Sequence, residues 1–296
     1  MPRLGCLTAV LIRLFCCLAI LGLTLVSPGL GHAAVDPHFQ PLIKKLARAG
    51  FDRAWLENIF DRPCVALNHK VLLLRLTVKE SELNYGQFLE DQWITRSREF
   101  MKRHAKTLAK AQDDYHVPAE VLVGLLLVET KLGSYIGKHQ TLSALATHAA
   151  AGQSKVANEV YERLPAEAKK RWTRPKAAKR LADREKWSFN ELKAFLRYLR
   201  QIQADPCKIY GSYTGAIGLC QFQPSNLKPF GRDGNSDGLV DLFQAEDAIV
   251  SAAAYLKKHG WQKKMTQARK IRALRRYNNS MPYAGIILKI ADLLEP

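Results

Sequence analysis

From Val121 to Val128 every residue of this chain is apolar or glycine, and the run stops on Glu129. Pro118 suits the first turn of a helix, and Glu120 complements its positive N-terminal end. The spacing therefore predicts a helix over 118–131, with Gly133 as its terminator. A helix apolar on all sides has no face to give to solvent, so it must be buried on all sides. Gly124, costly in an exposed helix, implies another backbone packed closely against it.

The rest of the chain can cover such a rod. With 296 residues, 47% of them apolar, it is long enough for a substantial core and too apolar for wholesale disorder. Amphipathic or apolar-periodic stretches recur at about 39–49, 97–113, 155–163, 189–203, 246–258 and 266–276. No alternating Val/Ile/Thr-rich stretch demands a sizeable sheet, and Val71 to Val78 suits either a buried helix or a strand. Asp205-Pro206 and the Gly/Ser-rich stretch after Tyr210 mark one elaborate loop region, about 206–245. The fold class is all-α.

Residues 1–33 read differently. Arg3 and Arg13 precede a near-continuous apolar run from Leu14 to Val26, followed by Pro28 and the small-residue stretch Gly31-His32-Ala33-Ala34. These are the parts of a secretory signal peptide, cleaved after Ala33; an uncleaved membrane anchor is the alternative. The formal charge is +18, or +16 without Arg3 and Arg13. A surface this basic favours a polyanionic partner, and an export signal points to an envelope polymer or membrane surface rather than nucleic acid. Without the signal three cysteines remain, Cys64, Cys207 and Cys220, which allow at most one intramolecular disulfide; Cys207 and Cys220 are the nearer pair in sequence. No Cys or His cluster has zinc-ligand spacing.

Glu129 carries the clearest chemistry. Partial burial and the negative end of the helix dipole both disfavour its carboxylate. A carboxyl held protonated near neutral pH is what a general acid requires. The same residue also suits a Glu that caps the core and pairs with Lys131. Downstream, small residues at 211, 212, 215, 216 and 218 permit close approach of backbone to a ligand. Ser212 and Gln221 can hydrogen-bond sugar hydroxyls or acetamido groups, and Tyr210, Tyr213 and Phe222 can stack on sugar faces. Asp233-Gly234-Asn235-Ser236-Asp237-Gly238 then places oxygen ligands at positions 1, 3 and 5 of an EF-hand-like loop, with Gly238 at the sharp-turn position. Position 12 is Gln244 instead of the usual Glu, and Asp247 could close a longer loop.

Taken together, these motifs resemble the family B lytic murein transglycosylases. They run from Val128-Glu129-Thr130-x-x-Gly133 and Leu142-x-Ala144-Leu145-Ala146-Thr147, through Gly211-Ser212-Tyr213-x-Gly215-Ala216-Ile217-Gly218-x-x-Gln221-Phe222, to Arg276-Tyr277-Asn278-Asn279-Ser280-x-x-Tyr283-Ala284. The resemblance implies a signal peptide over 1–33, an N-terminal helical accessory region over 34–100, and a lysozyme-like catalytic core over 101–296 with a calcium loop at 233–247. It implies cleavage of the N-acetylmuramic acid–N-acetylglucosamine bond of peptidoglycan in the periplasm, with 1,6-anhydro ends formed by one acid/base, Glu129. Ser212, Gln221, Tyr277, Asn278 and Tyr283 would line the saccharide groove. Asp233, Asn235, Asp237, Leu239 (by its carbonyl) and Asp247 would hold a structural Ca2+; catalysis itself would need no cofactor. Glycan strands, and cell-wall machinery of the envelope, are the implied partners. Ser134 stands where the family usually has Arg, Gln223 where Met is usual, and Thr214 where Ala is usual. Glu80 and Glu82 read as salt-bridge residues. A peptidoglycan-binding scaffold on the same fold, or a hydrolytic muramidase with a second carboxylate, are the rival readings.

Overall fold

The computed structural model describes residues 34–78 and 84–295. The expected export signal, and Glu80 and Glu82, lie outside the described residues. In chain order the helices are α1 (Gln40–Arg48), α2 (Arg53–Phe60), α3 (His69–Thr77), α4 (Asp91–Arg103), α5 (Ala105–Tyr115), α6 (Ala119–Thr130), α7 (Thr141–Ala150), α8 (Ser154–Glu162), α9 (Ala166–Arg171), α10 (Arg174–Ala182), α11 (Glu185–Ile202), α12 (Leu227–Phe230), α13 (Ala245–Lys258), α14 (Gln267–Tyr277) and α15 (Met281–Leu294). Two two-residue strands, β1 (His139–Gln140) and β2 (Tyr210–Gly211), pair antiparallel with His139 opposite Gly211. The all-α expectation holds.

The apolar run behaves as its composition requires. Val121 to Leu127 are all buried in α6, which is enclosed by α4, α5, α13 and α15. Gly124 explains how closely α15 sits: a Cβ there would lie 3.0 Å from the Ile287 carbonyl oxygen and 3.4 Å from Ile290 Cγ2. A second, smaller core lies under α3, α8 and α10, built from Val71, Leu72, Leu76, Val156, Val160 and Leu181. The Val71–Val78 stretch is thus mainly helical, buried on one side.

One expectation is corrected. The stretch 97–113 is two helices, α4 and α5, which break at His104. The cysteine pairing, open in the sequence, is settled among the described residues: one disulfide joins Cys64 to Cys207, with Cα atoms 5.5 Å apart, and Cys220 is buried and free. Burial pushes the Cys220 thiol up to about 12, so it is an inert core residue. Periodicity did not mark α7, whose residues are small and buried on every side, so no polar face alternates with an apolar one.

Candidate active site

Glu129 occupies the last turn of α6, partly buried at the floor of a groove. The helix ends differently from the expectation. Left-handed backbone begins at Lys131 (φ 52°) and continues through Leu132 (φ 59°) before Gly133 (φ 87°). Such a conformation costs a non-glycine residue about 1–2 kcal/mol, so the surrounding structure must hold it. Thr130 does so, donating from Oγ1 to the Leu219 carbonyl (2.8 Å) and accepting from Gly133 N–H (3.1 Å). Lys131, the cation that could have paired with Glu129, sets its Nζ 4.9 Å from the centre of the Trp93 ring.

Tyr283, in the first turn of α15, donates from Oη to Glu129 Oε1 at 2.5 Å. Burial, and then the charge of Glu129, hold this phenol well above its ordinary range, so it is a neutral donor. The Gly124 contact fixes α15 against α6 and so fixes this pair. Oε1 is thereby assigned as the acceptor of the phenol hydrogen.

The glycine and serine loop forms the wall opposite. Ser212 Oγ accepts from Ala216 N–H (3.0 Å) and Thr214 N–H (3.3 Å), and lines the groove beside Glu129. Gln221 also lines it, but its Nε2 is committed to the carbonyls of Ile136 (3.1 Å) and Gly218 (2.9 Å). Tyr277 contributes a ring to the groove while its Oη donates to the Cys220 carbonyl at 2.5 Å, so its hydroxyl positions the loop. Asn278 faces two compartments of the groove, and Tyr283 one. Gln223 Oε1 is buried on this wall with no hydrogen-bond partner.

Two anchors of the loop were not apparent in the sequence. His148 of α7 bonds the Tyr213 carbonyl through Nε2 (2.9 Å); a carbonyl only accepts, so Nε2 carries the proton. Burial drives its acidity to about 4, which keeps the ring neutral. Glu191, 2% exposed on α11, accepts from both the N–H and the hydroxyl of Ser225, each at 2.8 Å. Periodicity in a sequence does not show that a Glu on a mainly polar helix points inward.

The groove has three connected compartments that share Glu129, of 960, 220 and 220 Å³. The largest also takes in Arg75, Arg180, Arg184 and Trp187. Among the described residues lining all three, Glu129 is the only carboxylic acid.

The expected calcium loop lies apart from this groove. Asp233 accepts from the N–H groups of Ser236 (2.6 Å) and Gly238 (2.8 Å), and Asp237 from that of Leu239 (2.9 Å). Asn235 Nδ2 donates to Asp237 (2.9 Å). Asp247, fully buried at the start of α13, accepts from Gly234 N–H (2.8 Å) and Asp241 N–H (2.6 Å), which ties it to the loop. Burial raises the Asp247 carboxyl above its usual range. Among the described residues no three His, Cys, Asp or Glu side chains gather as a metal cluster. The oxygens on offer are mixed carboxylate, amide and carbonyl, a set that suits a hard cation of calcium's kind.

A buried apolar helix that delivers one carboxyl to the floor of a groove, within an all-helical frame, defines the lysozyme-like class. The chain belongs to the transglycosylase SLT domain family, whose model matches residues 34–273. It is 29% identical over 246 residues to membrane-bound lytic murein transglycosylase B of Escherichia coli (strain K12), covering 79% of this chain and 60% of that protein. The chain thus spans about three fifths of the length of this curated relative. Its fold is similar to that of the Escherichia coli lytic transglycosylase SLT35 solved with bulgecin A (TM-score 0.69, 23% identity, 88% of this chain and 93% of that one). SLT35 solved with calcium gives a TM-score of 0.67 at the same identity and coverage. SltB3 of Pseudomonas aeruginosa, solved with NAG-anhNAM-pentapeptide, is similar at TM-score 0.68 (20% identity, 89% of this chain and 80% of that one).

Proposed function

We propose that this chain is a lytic transglycosylase that cleaves the N-acetylmuramic acid–N-acetylglucosamine bond of peptidoglycan and leaves 1,6-anhydro ends. The observation that carries this reading is the single carboxyl in the described groove. Hydrolytic glycosidases set two carboxyls about 5–9.5 Å apart across the scissile bond, one of them serving as nucleophile or base for water. In this reading Glu129, the one carboxyl of the groove among the described residues, acts twice. Glu129 gives its proton to the glycosidic oxygen while Tyr283 holds Oε1. The muramic acid acetamido group supports the developing oxocarbenium ion. Glu129, now a base, takes the proton of the C6 hydroxyl as that oxygen closes on C1. Ser212, Gln223 and Asn278 contribute polar contacts to the sugars, and the rings of Tyr213 and Tyr277 contribute apolar faces, with the fully buried Phe222 packed behind Tyr277.

The relative from Escherichia coli and the solved structures with a muropeptide product support the substrate class by name. The Cys64–Cys207 disulfide supports an oxidising compartment, in keeping with export to the periplasm. Among the described residues no helix is long and apolar enough to cross a membrane. In the 233–247 loop, Asp233, Asn235, Asp237, Asp247 and the Leu239 carbonyl would hold Ca2+, which would neutralise the loop's carboxylates and brace the start of α13.

The test is mass spectrometry of the muropeptides released from purified sacculi by the wild type and by Glu129→Gln. Anhydro-ended products from the wild type alone are expected. Reducing-end products would mean hydrolysis and a second acid. Binding without any product from either protein would favour a scaffold.

A further inference from the structure

Three guanidinium groups gather in the largest compartment of the groove: Arg75 from α3, Arg180 from α10, and Arg184 at the residue that caps α11. Arg75 lies 105 residues before Arg180 in the chain. Arg75 Nη2 donates to the Arg180 carbonyl (3.4 Å), while its Nε is buried with no hydrogen-bond partner. Among the described residues no carboxylate makes an ion pair with any of the three: Glu162 and Glu185 are engaged by Arg174 and Lys45, and Asp183 offsets the positive field at Arg75 only in part. Burial, and then the charges of Arg184 and Arg180, weaken the hold of Arg75 on its proton to about 10. The field there is positive, since residues 163–186 carry ten Lys and Arg against three Asp and Glu.

Crowding three cations, one half-buried with an unused N–H, costs stability in the free protein. Folding alone would favour a carboxylate paired with them, and Asp183 makes no such pair. An anion arriving with the ligand would satisfy the unused donor, relieve the repulsion, and meet planar forks built for bidentate contact. Because the same compartment reaches Glu129, that anion belongs to a molecule whose sugar lies over the acid.

We propose that Arg75, Arg180 and Arg184 form a carboxylate subsite of the groove, which takes a free carboxylate on the peptide substituent of the glycan strand. This rests on the peptidoglycan reading of the groove. Glycan strands that keep their acidic peptides are then held more tightly than strands stripped of them, and the preference is set by arginines rather than by the sugar wall.

The test uses the full chain carrying Glu129→Gln, so that nothing turns over, and isothermal calorimetry with a soluble disaccharide-peptide. The same compound with its carboxyls amidated, and inorganic phosphate, serve as the comparison ligands. The free-carboxyl compound should bind about 10- to 100-fold more tightly than the amidated one, the range for charge-assisted hydrogen bonds. That ratio should fall towards one in Arg180→Gln/Arg184→Gln, whose altered side chains are exposed, and fall part of the way in Arg75→Gln. Equal binding of the two compounds, or a ratio that survives the double change, would overturn the subsite. Phosphate binding more tightly than the peptide, and lost in the double variant, would overturn the choice of carboxylate. Anhydro products from sacculi without any charge preference in binding would sink the subsite and leave the lytic reading standing.

Discussion

Replacing Tyr283 with Phe removes one oxygen from the centre of the site and keeps the ring. The side chain is 2% exposed and meets Tyr85 edge-on, with ring centres 6.4 Å apart; both features survive the change. What is lost is the hydrogen bond from Oη to Glu129 Oε1. A hydrogen bond to an ionised acceptor contributes about 1.5–3 kcal/mol. Each 1.36 kcal/mol is tenfold in rate, so turnover of defined glycan strands should fall about 10- to 150-fold. Because the phenol is held well above its ordinary range, no limb from its ionisation should appear in the wild-type pH profile below about pH 10. The assay is release of anhydro-muropeptides by chromatography, with thermal melts to show that both proteins are folded. Turnover within twofold of wild type would refute the role given to Tyr283, because nothing else about the ring changes.

Three further outcomes are expected. Reduction of Cys64–Cys207, which closes a separation of 143 residues, should cost about 2–5 kcal/mol and lower the melting temperature by roughly 5–15 °C; an unchanged melt in reductant would refute this. Saturating calcium, at about 100 times its dissociation constant, should add about 2.7 kcal/mol to stability, and Asp233→Asn should abolish the gain in calorimetric melts. His148 binds a proton more weakly folded than unfolded, near 4 against an ordinary 6.5. Its contribution is therefore complete above about pH 6.5 and lost as pH falls towards 4, a span worth about 3 kcal/mol. Urea titrations at pH 7.5 and 5 should show this loss in the wild type, with a smaller pH dependence in His148→Gln.

The sequence displayed its main axis because burial on every side leaves a composition with no polar face. Val121 to Leu127, Gly124 and Glu129 could therefore be placed before any coordinates, and the helix-by-helix reading of α1, α8, α11, α13 and α14 followed from ordinary amphipathic spacing. The same rule hid α7, where Ala and Thr give no contrast, and ran α4 into α5, because the break at His104 has neither Gly nor Pro to announce it. In the site, motif order pointed to Ser212, Gln221, Tyr277, Asn278 and Tyr283, but not to what each polar atom does. The hydroxyl of Tyr277 and the amide of Gln221 face the loop they steady. Arg75, Arg180 and Arg184 were illegible for a different reason: about a hundred residues separate the first from the others, and each alone resembles a solvated charge. The partner of Cys64 was equally beyond reach, since pairing depends on where Cα atoms finish and not on how near two cysteines are in the chain.

The left-handed run Lys131–Leu132–Gly133 has a thermal consequence. It is a local conformation that the chain would not choose, kept in place by Thr130, the neighbour of Glu129 in the chain, through its bonds to the Leu219 carbonyl and Gly133 N–H. As temperature rises, the first contacts to loosen there release Glu129 from its fixed direction, while the helices packed round α6 remain. The proposed turnover should therefore fade several degrees below the loss of helical ellipticity, so that the site goes quiet before the fold comes apart.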